Sequence, residues 1–520
     1  MNQKKYYFIN LTVIITVIMV FSACQKKLDT PPENKVFGTD INYADNDMLY
    51  PVIGVYQQLY STGATWDGCA LIGDRGDDVT PKGDQVPLIQ SDLYSYDNTF
   101  WIYNAVWQEM YTVVLKAMTA IDQIKLYAEN TSGTTNANQY IAEVKTIKDW
   151  ELLQLSYLWG AILIPESANP ADLVTVPTTS KDSVMDYISR EMDEAIPYLP
   201  DMRPNQRTDV TGGVTKYTAL AIKALAELEL ENYQKVADAT SQIIGSGLFS
   251  LNPDFTSTFR RSGKLDNSKL LVFQYSTLGT SSGTQYRFPY QFFYPSSWSP
   301  LNVGAMGGWG FWEPTRKYIK FMLDRGEVTR LKETVLFTPD GVAEIESDPN
   351  YANLPTWITS NLTVSPASGA GWLTPDGDTI FNSPRLKFYS GKFILPSTDL
   401  PPGRKEQGAD NNYTCIRYAQ ILLMYAEALT RGANGTVMTA DQAVNLVRER
   451  AGLSDLTGVT ADQVMNEKYA ELATEWGIRF HDMVRLKKDN ELSFEGRSYT
   501  DNLAFIPYPL NQVSLLQGLQ

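Results

Sequence analysis

Residues 413–488 constrain the fold more than any other stretch of the chain. They read YTCIRYAQILLMYAEALTRG, then MTADQAVNLVRERAGL, then VTADQVMNEKYAELATEWGIRFHDMVRLKK. Ile416, Gln420, Leu423 and Glu427 form one stripe, and Ala419, Leu422, Ala426 and Leu429 the adjoining apolar face. Steps of three and four residues match a helical period. Gly432, Gly435 and Gly452 punctuate the ends of the first two helices. Thr439-Ala-Asp-Gln442 and Thr460-Ala-Asp-Gln463 each place a hydroxyl at an N-cap and an amide three residues on. That pairing satisfies two backbone N–H groups that a helix start leaves open, and Asp441 and Asp462 suit the positive end of the dipole. The third helix is expected to carry Met465, Tyr469, Leu472 and Trp476 on one face, with Glu475 and Arg479 as an i,i+4 ion pair.

Three blocks in this stretch resemble the C-terminal signature of the SusD/RagB family of outer-membrane nutrient-binding lipoproteins. They are Arg417 with Leu423-Met-Tyr-Ala-Glu-Ala428, Asn445-Leu-Val-Arg-Glu-Arg-Ala-Gly452, and the run from Glu467 through Glu471, Glu475, Gly477, Arg479 and Asp482 to Arg485. Weaker matches extend the likeness from about residue 20 to the end. These include Glu143, Gly160 and Pro165, and also Trp309-Gly, Pro314-Thr315, Asp324 and Arg330. The tail 504–510 (AFIPYPL) is similar to the terminal strand of the family, although the family's closing QNPGY is missing. The resemblance implies a mainly α fold. It would be a superhelix of tetratricopeptide-like helical pairs with an irregular, loop-rich insert holding short β-strands. It also implies a binding protein without catalysis or cofactor, working with a TonB-dependent SusC-like transporter.

The N-terminus reads as a targeting segment. Lys4 and Lys5 precede a mostly apolar run over 8–21, shorter than a spanning helix needs, which ends in Phe21-Ser-Ala-Cys24. Small residues before a cysteine resemble a lipoprotein box, so Cys24 is expected to be acylated after cleavage and to anchor the chain in the outer membrane. Residues 1–23 are then a signal peptide and 24–40 the lipidated cysteine and a polar, proline-bearing tether. Residues 41–248 form an N-terminal helical part, 249–412 a ligand-facing insert, and 413–520 the signature helices and tail. A formal charge of −15 argues against nucleic acid as a ligand, because phosphate binding needs clustered Lys and Arg. Cys69 and Cys415 lie far apart in sequence and are expected to be buried thiols, with a disulfide between them as the competing reading. There is no CxxC-type spacing, and His481 is the only histidine.

Helical patterns are expected over 47–60, 99–127, 138–159, 181–199 and 214–245, the last broken near Glu231-Asn232. Ala221, Ala224 and Ala226 face Val236, Ala237, Ile243 and Ile244 there, as in a repeat of helical pairs. Residues 249–412 differ in kind, being rich in Gly, Pro and Ser, with strand-like runs at 270–275 and 386–389. Gly279-Thr-Ser-Ser-Gly283 has the letters of a nucleophile elbow but no helix pattern after it. The loop over 66–78 holds an acidic run and the adhesion tripeptide Arg75-Gly-Asp77. It lacks the spaced ligands of a calcium loop.

A pyranose has an apolar face that packs on Trp or Tyr and hydroxyls that pair with Asp, Asn, Arg and Gln. Two aromatic loops offer both. The candidate ligand residues are Trp66, Asp67, Asp74 and Arg75 in the first, and Tyr290, Tyr294, Trp298, Trp309 and Trp312 in the second. The same rings would also serve a core. Oligosaccharide is the expected ligand, with peptide capture and a surface glycosidase as the competing readings.

Overall fold

The computed structural model describes residues 45–63, 65–131, 137–275, 290–301, 307–365, 369–399 and 411–520. The signal segment, Cys24, the tether and the GTSSG run lie outside the described residues. Twelve helices organise what is described: α1 (Leu49–Thr62), α2 (Trp66–Gly73), α3 (Trp101–Asn130), α4 (Ala137–Trp159), α5 (Lys181–Ala195), α6 (Lys216–Glu229), α7 (Tyr233–Gly245), α8 (Arg316–Asp324), α9 (Tyr418–Thr430), α10 (Ala440–Arg450), α11 (Ala461–Leu472) and α12 (Ile478–Arg485). α1 packs on α3, and α3 through α7 each pack on the next. α7 then packs on α9, which in turn meets α10 and α11. The stack therefore continues across the insert as though the insert were absent. Buried alanines on α6 let α7 approach closely, and Glu231 takes a left-handed φ of 56° to turn the chain between them. None of the described helices is long and apolar enough to cross a membrane.

Short strands carry the rest: β1 (Val79–Pro81), β2 (Lys269–Phe273), β3 (Trp298–Ser299), β4 (Trp312–Pro314), β5 (Val335–Phe337), β6 (Leu362–Ser365), β7 (Gly369–Leu373), β8 (Thr379–Phe381), β9 (Phe388–Ser390) and β10 (Tyr413–Arg417). β1 pairs with β4, so the N-terminal part and the insert share a ribbon. β2 pairs antiparallel with β10, Phe273 opposite Tyr413, which ties the two ends of the insert together. β3, β8, β7 and β6 form a four-stranded sheet in that order.

Four local expectations are corrected. Residues 413–417 form β10, and the helix begins at Tyr418, because pairing with β2 claims their backbone groups. Residues 66–73 form a helix, capped by Thr65. The tail 504–510 is not a strand; Ile506 N–H instead donates to the Leu158 carbonyl at 3.0 Å. The third helix breaks over 473–477, where Thr474, Trp476 and Gly477 all take positive φ. Gly477 is required there, since a Cβ would sit 2.2 Å from the Ile72 carbonyl oxygen. Glu475 and Arg479 therefore lie on different elements and do not pair. The two capping boxes are present as expected, with Gln442 N–H 3.1 Å from Thr439 Oγ1 and Gln463 N–H 3.3 Å from Thr460 Oγ1.

The signature's charged residues are buried. Glu471 accepts from Arg417 and from Arg450 at 2.5 Å, with Arg330 at 3.3 Å. Burial opposes its charge, but these guanidiniums outweigh burial and hold its carboxyl far below the usual range. Glu475 accepts from Arg417 Nε at 2.8 Å and Lys392 Nζ at 2.7 Å. A second cluster joins Glu427 to Arg485 at 2.6 and 2.7 Å, and Lys468 to Glu427 and Asp482. Cys69 and Cys415 are buried free thiols. His481 is half-buried, its ring stacked on Tyr157 with centroids 4.1 Å apart. Burial, then Arg75 and Lys181, push its pKa well down.

Candidate functional site

The acidic run after α2 turns inward. Asp74 has no exposed surface, and its Oδ1 accepts from Trp312 Nε1 at 3.0 Å. Burial, then the Asp92 carboxylate, push it well above the carboxylate range. Arg75 is also fully buried, with its guanidinium 4.4 Å from the Phe480 ring centroid. Asp77 receives Arg479 at 2.7 and 3.1 Å and lies 2.7 Å from Lys317. Burial opposes its charge, and those two cations overcome it, so its carboxyl is held low. Asp78 accepts from the Thr474 N–H at 2.6 Å. The run is thus a latch between α2 and the helix break at 473–477. Asp74 and Arg75 are corrected as ligand residues, because their polar atoms face the core. The Arg75-Gly-Asp77 tripeptide is likewise inaccessible. Asp67 is buried in the first turn of α2, the end of a helix that favours an acidic residue.

The insert's aromatics divide. Trp312 is buried and packs 4.9 Å from Phe293 and 5.4 Å from Phe393. Phe393 leads on to Trp476 at 4.6 Å, and Trp476 stacks on Tyr413 at 4.0 Å. Trp312 is therefore corrected to a core residue. So close is its packing on α2 that a Cβ on Gly73 would fall 2.0 Å from its ring. Tyr294 is also buried, donating to the Leu395 carbonyl at 2.8 Å, and leaves the candidate surface for the same reason. Trp298 is half-buried, edge-on to Tyr294 at 5.3 Å. The side chain of Tyr290 lies outside the described residues.

What remains outside is a row of rings with a floor of rings. Trp101, 48% exposed at the start of α3, lies 5.7 Å from half-buried Trp66. Trp66 lies 5.1 Å from Phe292, and Phe292 stacks on Phe311 at 4.7 Å. Trp309, 40% exposed, stands edge-on to Phe311 at 6.0 Å. Phe292 and Phe311 are buried, so the exposed indoles are held by packing and are not free to collapse on each other. Polar groups border the row. Arg385 lies over Phe311 at 5.1 Å and donates to the Trp309 carbonyl at 3.2 Å. Lys82 N–H donates to the Phe311 carbonyl at 2.7 Å, which sets Asp84 beside Arg385. Gly83 between them has a φ of 97°, and a Cβ would fall 2.4 Å from Phe311. Asn104, one turn after Trp101, accepts from Gln512 Nε2 at 2.8 Å. Flat apolar faces edged by donors and acceptors suit a ligand that is itself apolar on its faces and hydroxylated on its edges.

Trp66 and Trp309 are thus linked through the buried Phe292 and Phe311 rings. Trp101, Arg385 and Asp84 join them without having been singled out in the sequence. A signal existed for Trp101: it falls off the inward stripe of Val106, Tyr111 and Val114. Arg385 and Asp84 have no local signal, because β1–β4 pairing and the Phe311 ring bring them together.

Residues 271–505 match the model of the SusD family. SusD-like protein P38 of Formosa agariphila is 23% identical, over 94% of this chain and 93% of its own. A SusD-like protein of Bacteroides ovatus is 20% identical, over 91% and 82%. Among solved structures, a laminarin-binding SusD-like protein superposes with a TM-score of 0.73 at 19% identity, covering 91% of this chain and 98% of that one. Surface glycan-binding protein A from Bacteroides thetaiotaomicron, in complex with laminarihexaose, superposes at 0.70 and 19% identity, covering 92% and 98%. The chain has the mainly helical SusD fold over nine-tenths of its length. The matched stretch 271–505 includes all three C-terminal blocks.

Proposed function

We propose that the protein captures oligosaccharides on the face formed by Trp101, Trp66 and Trp309 and releases them unchanged to a SusC-like TonB-dependent barrel. The acylated Cys24 would hold it on the outer membrane beside that partner. The observation that carries the reading is the exposed indole row set on a buried floor of Phe292 and Phe311. The similar structures include a laminarin-binding SusD-like protein and one solved with laminarihexaose, which supports a glycan as the ligand class here. Capture without cleavage fits the placement of the perturbed carboxyls. Burial pushes Asp149 up to about 7 and Glu151 and Glu333 up to about 8. All three are core groups, and a general acid must reach the glycosidic oxygen.

Titration calorimetry against neutral and acidic oligosaccharides and a set of cationic peptides tests the ligand class. A glycan should bind, and chromatography of the same mixture should return it intact. Tight peptide binding without glycan binding, or release of shortened sugar, would overturn the reading. Loss of radiolabelled palmitate incorporation in Cys24→Ser, together with loss of co-purification with a barrel protein, checks the anchor and the partner.

A further inference from the structure

The polar edge of the aromatic face carries information about which glycan it takes; the argument rests on the capture reading above. Arg385 Nη2 lies 3.9 Å from Asp84 Oδ2, and the two side chains are 37% and 69% exposed. That separation is too long for a hydrogen bond and too short for a water layer. Both groups are nevertheless held in place. The guanidinium carbon lies over Phe311, 5.1 Å from the ring centroid, and Nη1 donates to the Trp309 carbonyl. The carboxylate follows Gly83, where only a residue without a Cβ fits beside Phe311, and its Oδ1 receives Gln85 Nε2 at 3.3 Å. Among the described residues Nη2 and Oδ2 have only each other as facing partners, next to the Trp309 carbonyl that Nη1 holds.

We propose that Arg385 and Asp84 form a preformed donor–acceptor clamp that reads the hydroxyl edge of a neutral pyranose stacked on Trp309. A sugar hydroxyl both accepts and donates, so it satisfies Nη2 and Oδ2 together. A carboxylate or sulfate group only accepts. It would satisfy the arginine but meet the Asp84 charge at contact distance. Lys82, the neighbouring cation, does not reverse this balance, since it lies 3.6 Å from the buried Glu313 carboxylate. The clamp therefore selects neutral oligosaccharides over uronate-bearing or sulfated ones, and because it is held before binding it loses little entropy in closing on the sugar.

The test is calorimetric titration of the purified protein with laminarihexaose, cellohexaose, mannohexaose and hexagalacturonate. At least one neutral hexasaccharide should bind ten times or more tightly than hexagalacturonate. Asp84→Ala and Arg385→Met should each weaken that neutral ligand about tenfold. The double variant should lose little more than either alone, because both act through one sugar edge. Asp84→Ala should also narrow the gap to hexagalacturonate. Tighter binding of hexagalacturonate by the unaltered protein would overturn the clamp. So would full neutral affinity in both variants while Trp309→Ala abolishes binding, which leaves glycan capture standing. If the unaltered protein binds none of the four sugars, the capture reading falls and the clamp with it.

Discussion

The helical block of α9–α12 and the aromatic face around Trp309 use their most conspicuous residues in opposite ways. In the block, Arg417, Glu471, Glu475, Glu427 and Arg485 are charged and buried, each answered by opposite charge. On the face, Trp101 and Trp309 are aromatic and exposed, each supported by other rings. The block carries three ordered motifs, and the face only the shorter match that begins at Trp309-Gly. Buried ion pairs demand specific partners at specific distances, so they imprint a pattern on the sequence. A stacking surface demands only flat rings in the right place, and those can come from any loop.

Breaking the block should cost most. Glu471→Ala leaves Arg417, Arg450 and Arg330 without their shared partner and should lower stability by about 3–5 kcal/mol, read from urea unfolding at neutral pH. A change under about 1 kcal/mol would mean that the ion cluster is dispensable. The sharpest contrast lies within one motif. Trp312→Ala should cost about 3–5 kcal/mol of stability, because it empties a core site beside Phe293 and Phe393. Trp309→Ala, three residues earlier, should move stability by less than about 0.5 kcal/mol. It should instead remove about 2 kcal/mol of glycan affinity, read by calorimetry.

A pH titration separates two kinds of buried acid. Glu471 has a lowered folded pKa, so the stability it contributes is present above the unfolded carboxylate value and is lost only as pH falls toward the folded one. Glu151 behaves in the opposite sense. Burial, aided by Glu109, raises it from 4.5 to about 8. Between those values the folded state holds the extra proton, so stability falls as pH rises. Glu151→Gln should therefore gain on the order of 4 kcal/mol at pH 8.5 and show no gain at pH 4. Unfolding midpoints measured across that range decide it. A last test falls at Gly83, under the floor of the aromatic face. Gly83→Ala should cost about 1–2 kcal/mol from its backbone alone. It should also weaken glycan binding by displacing Phe311, and unaltered affinity would show that the floor does not position Trp309.

Much of the scaffold is legible in the residues. The helical pairs, the turn at Glu231, both capping boxes and the two buried thiols follow from periodicity, side-chain chemistry and spacing. The break at 473–477 does not, because Met465, Tyr469, Leu472 and Trp476 keep helical spacing through it. Docking against the Ile72 carbonyl and the Asp77–Arg479 pair outweighs that local preference. For the candidate site, Trp66 and Trp309 were readable as aromatic loop residues. Asp74, Arg75, Tyr294 and Trp312 carried the same signature and went to the core.

What the sequence determined by itself is the kind of scaffold. Helical period, caps and the three ordered motifs depend on neighbours three, four or a few dozen residues apart, and these are visible in one dimension. Tertiary structure alone decided which rings face water and which charges meet, as when it set Trp101 beside Trp66 and Arg385 beside Asp84. Exposure is a property of what packs against a residue from elsewhere in the chain, and two tryptophans three positions apart can therefore have opposite fates.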